Sequence, residues 1–447
     1  MQSYLIKNAL VVNENKIESK DILIKNGRFE KIENQISTKE NHIEIDSEGL
    51  HLLPGLIDDQ VHFREPGLTE KASIFTESRA AVAGGVTSFM EMPNVKPATL
   101  TQELLEQKYE IGRQSSLANY SFFMGVSNDN IEEALKTNQK INEVCGLKIF
   151  MGSSTGNMLV DNIITLEKIF SESELLIATH CEQEGMIRAN IDKLNHSNID
   201  WNHASFHPII RNEDVCYESS LTAIQLAMKF NTRLHILHIS TSKEIPLFSN
   251  MLPLNEKRIT AEVCVHHLHF TADDYAKYGN LIKCNPAIKA KENRESLWNA
   301  LLNDELDIIA TDHAPHTWEE KQKPYKEAPA GVPLVQHSLY ILLDAYKEGR
   351  ISLEKIVEKA CHAPAICFQV SERGFIREGY FADAVLLDLN QNYTVTKENV
   401  LYKCKWSPFE GHSFSSRIEK TFVNGYLAYN QGKLFDEQQG MRLMFHR

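Results

Sequence analysis

The chain has 447 residues, 42% of them hydrophobic and 24% charged, with a formal net charge of −13. This balance excludes a general nucleic-acid binder, which needs a basic face to meet phosphates, and the lack of any apolar run of about 18 residues excludes a helical membrane span. The eight cysteines form no CxxC pair and read as reduced thiols, and the N-terminal segment lacks a signal peptide's apolar core, so the expectation is a soluble cytoplasmic protein.

Residues 1–54 are short β-like pieces. "YLIKNALVV", "KDILIKNGRFEKIE" and "GLHLLPG" alternate or run apolar, and Asn26-Gly27 is a hairpin turn signal. Residues 366–447 have the same texture in "GYFADAVLLDL" and "RIEKTFVNGYLAYNQGKL", with a second Asn-Gly turn at Asn424-Gly425. The two ends are expected to pair into one small β-rich domain. Between them, over 55–365, eight short apolar runs fall at 55–62, 86–92, 119–125, 146–151, 175–180, 233–239, 259–264 and 307–313, separated by helix-like stretches. That order predicts an α/β chain folded as a (β/α)8 TIM-like barrel. An open doubly wound sheet is the alternative. The barrel is favoured because the conspicuous polar residues sit at the C-terminal ends of the runs, where barrels build their sites.

Those residues are Gln60, His62 and Arg64 after the first run, Asn94 after the second, Lys148 in the fourth, His180 in the fifth, His235 and His238 in the sixth, and Asp312, His313 and His316 after the eighth. Strand alternation puts Asp58, Gln60, His62 and Arg64 on one side, with Asp59 and Val61 on the other. One His at a strand end is usually structural. Several imidazoles and a carboxylate converging on one rim point instead to a metal centre for zinc, manganese or iron. A lysine there is either an amine that loses its proton when desolvated or the carrier of a CO2-derived carbamate that bridges two cations.

"VHFREPG", "MPN", the lysine of "LKIFM", "THCE", "LHIS" and "ATDHAPHT", in this order and with "PGLID" ahead of them, resemble the longer-chain dihydroorotases of the amidohydrolase superfamily. The likeness runs over nearly the whole chain. It implies reversible hydrolysis of L-dihydroorotate to N-carbamoyl-L-aspartate in pyrimidine biosynthesis, one or two zinc ions per subunit, and a homodimer. It also implies site roles. His180 and His238 match two ligands of one metal, Lys148 a carboxylated bridging lysine, His62 a further ligand, and Asp312 a ligand that also shuttles the proton. Arg64, Asn94 and His316 match residues that hold the substrate carboxylate. Asn285, in "IKCNPAIK", and the backbone at Gly331, in "EAPAGVP", match further substrate contacts. Allantoinases and hydantoinases share the metal motifs, but their rings lack this carboxylate and they usually have no arginine at this position.

Gln60 departs from the pattern, which has His there. An amide oxygen is a weaker zinc ligand than imidazole, so Gln60 is expected to be a weak or absent fourth ligand. Other outcomes are a single metal on His180 and His238, or a non-catalytic subunit such as a partner of a transcarbamoylase. Retention of the other site residues favours an active enzyme. His266, His267 and His269 in "EVCVHHLHF" read as loop and strand-end packing, with a metal role as the alternative, and His313 as structural. His203 and His207 lie in a loop expected to cover the mouth or meet another subunit. "HTWEEKQKPYKEAPAG" reads as a mobile lid with Lys321, Lys323 and Lys326 solvated.

Overall fold

The computed structural model describes residues 2–152 and 158–447. The chain begins with β1 (Tyr4–Asn13), β2 (Lys16–Lys25), β3 (Arg28–Glu33), β4 (Ile43–Asp46) and β5 (His51–Pro54). The barrel strands are β6 (Leu56–Val61), β7 (Val86–Glu91), β8 (Asn119–Phe122) with its continuation β9 (Met124–Gly125), β10 (Leu147–Phe150), β11 (Ile177–His180), β12 (Leu234–Ile236), β13 (Ile259–Cys264) and β14 (Ile308–Ala310). The C-terminal strands are β15 (Ala384–Asp388), β16 (Tyr393–Thr394), β17 (Ser413–Phe414), β18 (Arg417–Val423), β19 (Tyr426–Asn430) and β20 (Lys433–Leu434).

Both chain ends build one sheet, as expected, in the order β20-β19-β18-β15-β5-β1-β2-β3 with β4 also on β1. Alternate residues of these strands point into a separate small core of Tyr4, Ile6, Ile22, Ile24, Phe29, Leu52, Leu386 and Phe422. Both Asn-Gly turns adopt positive φ at each residue, 53° and 80° at Asn26-Gly27 and 50° and 73° at Asn424-Gly425, which is why Asn and Gly stand there. The turns touch: a Cβ on Gly425 would lie 2.7 Å from the Gly27 Cα.

The eight apolar runs become eight parallel barrel strands. β6 pairs with β7 and β7 with β8, while β9 to β14 pair in sequence. The Phe123 amide still donates to the Glu91 carbonyl across the β8–β9 break, and the His62 amide closes the circle onto the His313 carbonyl at 2.7 Å. Met90, Phe123, Leu176, Leu237 and Ile308 fill the lower barrel, and Phe368, Leu443 and Phe445 from the C-terminal part pack beneath them. No helix among the described residues is long and apolar enough to cross a membrane.

One alternation is corrected. The β6–β7 register shifts between Asp58 and Val61, the mark of a bulge. Asp58 therefore turns outward to the Thr311 hydroxyl at 2.6 Å. Asp59, expected on the outer side, instead faces His235 inside the barrel at 3.3 Å. Gln60 and His62 then both reach the mouth.

The sheet is pinned to the barrel by a buried polar knot. Arg373 pairs with Asp383 and donates to the Asn424 side chain at 2.8 Å. Asn119 of β8 donates to Asp383 at 3.2 Å and accepts from Asn424 at 2.8 Å. Removing one partner of a buried pair strands the other charge at a cost of about 3–5 kcal/mol. Asp383→Ala is accordingly expected to lower the guanidinium unfolding midpoint sharply, and Arg373→Met with Asp383→Leu to recover most of it; equal midpoints for wild type and Asp383→Ala would show that the knot is not what holds the sheet.

Candidate metal and active site

A pocket opens at the C-terminal ends of the barrel strands, and Gln60, His62, Arg64, Lys148, His180, His238, Asn285, Asp312 and Gly331 all line it. His180 Nδ1 and His238 Nε2 face each other at 2.9 Å. His62 Nε2 and the Gln60 amide nitrogen both reach Asp312 Oδ1, at 3.1 and 3.2 Å. The Gln60 amide oxygen turns the other way, to Cys264 Sγ at 3.7 Å. Asn94 stands behind His62, its Oδ1 2.8 Å from Nδ1. His316 stands behind Arg64: its Nε2 is 3.0 Å from the Ala330 carbonyl, its Nδ1 is 3.2 Å from Lys71 Nζ, and Arg64 Nη2 lies 3.1 Å from its ring. Asn285 Oδ1 is held by His207 at 3.0 Å.

Three of these residues leave their strands in the left-handed backbone region: Arg64 at φ 69°, His238 at 43° and Asp312 at 46°. Each costs about 1–2 kcal/mol in an L-residue, and such outliers gather where side chains must be aimed. The His238 amide is caught by Glu262 at 3.1 Å, and the Arg64 Nε by the Pro315 carbonyl at 3.1 Å. Gly331, at φ 148°, has no room for a side chain, since a Cβ would sit 2.3 Å from the Ala314 carbonyl.

Burial sets the electrostatics. It holds His62, His180 and His238 below the ordinary imidazole range, His238 far below, so each keeps a lone pair for a metal. It lowers Lys148 to about 7. Lys148 Nζ is buried, has no hydrogen-bond partner among the described residues, and lies 4.5 Å from the centre of the Phe150 ring. Arg64 is pulled down to about 10, again by burial and against the opposing pull of Asp312. Among the described residues no carboxylate pairs with it; Glu65, the neighbour that could have, accepts from the Ile74 amide at 2.8 Å instead.

Two carboxylates that bear on the site were not singled out from sequence. Glu182 lies 3.2 Å from His180 and pairs with Arg211; burial alone would raise it, but Arg211 and His180 bring it to about 2. Glu262 joins Asp59 and His235 in a fully buried group below the cavity, where burial, then Asp59, push its carboxyl well above the usual range. A lone Glu in the apolar run "ITAEVC" was the available signal. His313 is structural as expected, bound to Glu77 at 2.9 Å. Lys321 is not solvated: its Nζ is buried and donates to the Gly331 and Pro329 carbonyls at 2.8 and 3.0 Å, stapling the loop expected to be a lid.

Residues 51–428 match the model described as the amidohydrolase family. The chain belongs to the amidohydrolase family. It is similar, at 30% identity over 93% of both chains, to a dihydroorotase of Methanosphaera stadtmanae, and at 29% identity over 99% of both chains to an allantoinase of Desulfitobacterium hafniense. Among solved structures it resembles the L-hydantoinase (dihydropyrimidinase) of Arthrobacter aurescens, with a TM-score of 0.91 and 26% identity over 99% of this chain and 100% of that one. This amidohydrolase is thus a hydrolase whose relatives bear the names of cyclic-amide enzymes, and its barrel with a sheet built from both termini is the family architecture.

The lysine gives a signed pH dependence in the metal-stripped protein. Unfolded, Lys148 titrates near 10.4; folded, near 7. Between these values the unfolded chain binds more protons, so the stability deficit is full below about 7 and fades as pH rises to about 10.4. Metal-stripped Lys148→Met is expected to unfold later than stripped wild type at pH 6.5, with the gap closing by pH 10. A pH-independent gap would contradict this burial effect.

Proposed function

We propose that this amidohydrolase is a dihydroorotase, interconverting L-dihydroorotate and N-carbamoyl-L-aspartate. The observation that carries the reading is Arg64: a buried guanidinium lining the cavity with no carboxylate of its own among the described residues. A buried cation calls for a partner, and a planar fork of donors suits a carboxylate. Dihydroorotate brings one; allantoin, hydantoin and dihydrouracil do not. The same feature weighs against a non-catalytic subunit, which has no use for a buried guanidinium that no carboxylate pairs with among the described residues.

The donor set fits zinc. His62, His180, His238 and Asp312 would hold one or two ions, and the Lys148 amine, without a hydrogen-bond partner among the described residues, would join them as a CO2-derived carbamate. Bound metal lowers the pKa of water and polarises the scissile carbonyl. The chain's own groups do the rest. Asp312 receives the proton of the attacking water and hands it to the leaving ring nitrogen. Asn94 accepts from His62 Nδ1 and so keeps Nε2 turned to the cavity. Gln60 is no strong ligand in this arrangement: its amide nitrogen holds the Asp312 carboxylate in place. Arg64 binds the substrate carboxylate, His316 packs against Arg64 from behind, and Asn285 and the bare backbone of Gly331 shape the wall around the ring.

Purified protein supplied with zinc and bicarbonate is expected to turn over dihydroorotate at least about 10²-fold better in kcat/KM than dihydrouracil, the same ring without the carboxylate. Arg64→Met should cost dihydroorotate about 10²–10³-fold, the usual loss for a buried charged hydrogen-bond partner, and leave dihydrouracil nearly unchanged. A preference for allantoin, hydantoin or dihydrouracil in the wild type would overturn the assignment.

A further inference from the structure

Immediately beyond β13, Cys264, His266 and His267 form a second cluster that the proposed chemistry does not use. All three side chains are buried, at 0%, 1% and 3% exposure. The ring nitrogens are the anomaly. Among the described residues His267 Nδ1 finds no hydrogen-bond partner, and the His266 ring has only a weak backbone bond, to Thr311. Buried polar atoms are almost always paired, and leaving one unpaired costs about 1–3 kcal/mol.

The three side chains gather as a set of ligands would. His267 Nε2–H donates to the Pro286 carbonyl at 3.1 Å. That bond fixes the tautomer and leaves Nδ1 as a bare lone pair, which is how a carbonyl behind a metal-binding histidine prepares it. One ligand atom each from Cys264, His266 and His267 lie within 4.8 Å of one another. A fourth donor is at hand, since the Gln60 amide oxygen is 3.7 Å from Cys264 Sγ. Sulfur with two imidazoles suits zinc or a similar borderline-soft ion.

We propose that Cys264, His266 and His267, with the Gln60 amide oxygen beside them, form a divalent-cation site of the zinc class, separate from the His180–His238 pair. On binding, the Cys264 thiol gives its proton to solvent and binds as thiolate. The ion holds the Gln60 oxygen and thereby keeps the Gln60 amide nitrogen on Asp312. The glutamine that looks like a lost ligand at the mouth is then the link between two cation sites.

The test reads ligand identity, so it is independent of which substrate is hydrolysed. Full-length protein loaded with cobalt(II) should show the near-ultraviolet thiolate-to-cobalt charge-transfer absorption. His238→Asn should retain that absorption and Cys264→Ser should lose it, together with one bound ion per chain by elemental analysis. Should Cys264→Ser fold poorly, X-ray absorption at the zinc edge of the wild type decides the matter alone: a sulfur scatterer at about 2.3 Å supports the site. Cobalt bound without a thiolate band, a band that survives Cys264→Ser, or a shell of nitrogen and oxygen only would overturn it.

Discussion

Desolvation of the barrel mouth is the constraint on which the site depends. The eight strands bring Lys148 and Arg64 into a space where each is no more than about 2% exposed, and neither finds a carboxylate within bonding distance among the described residues. In water these cations would be unremarkable. Here burial takes a lysine to about 7 and an arginine to about 10. An amine near neutrality can react with CO2, and a guanidinium with no carboxylate in bonding contact among the described residues is a receptor for an anion. One physical cause, exclusion of water from a polar pocket, prepares both ends of the proposed substrate path.

That pocket rests on an equally dry polar layer. Glu262 holds the His238 amide, the Cys264 thiol and His235 together, and His235 in turn meets Asp59. Against burial, Cys367, Asp59 and Glu262 push His235 well above the imidazole range. The three side chains thus find partners inside their own group, which is the condition for keeping carboxyl groups inside a barrel at all. The layer fixes the backbone of His238 in its left-handed conformation. An apolar layer would fill the space equally well and leave that amide unpaired.

Much of this was legible in the sequence. Eight apolar runs with polar exits specify eight strands and a site at one end, because strand length and burial on both faces impose an apolar run. The convergence of His62, Lys148, His180, His238 and Asp312 followed from where those runs stop. Alternation failed at Asp58 and Asp59, because a one-residue bulge inverts the facing on one side of it relative to the other and leaves no trace in composition. Lys321 was misjudged for a different reason. A lysine among charged neighbours looks solvated, and only the fold shows that three carbonyls, those of Lys283, Pro329 and Gly331, converge on its ammonium. Hydrogen bonds to backbone carbonyls are invisible to any reading of residue types.

The likeness to a hydantoinase at a TM-score of 0.91 and to a dihydroorotase at 30% identity shows how little of the scaffold has to differ between such enzymes. In the proposed reading the metal ligands His62, His180 and His238 stand at strand ends, and selectivity falls to residues one or two positions further along, where the chain has left the strand and the backbone is free to turn. Arg64 is such a residue. It follows His62 by two, adopts φ 69°, and carries its guanidinium into the cavity that His62 also lines, tethered by its Nε to the Pro315 carbonyl across the barrel closure. A residue whose backbone alternated normally would send its side chain along the barrel wall. In the proposed reading, the left-handed turn two residues after His62 would let this cation stand beside the metal ligands, close enough to meet a substrate carboxylate and held away from them by its bond to Pro315.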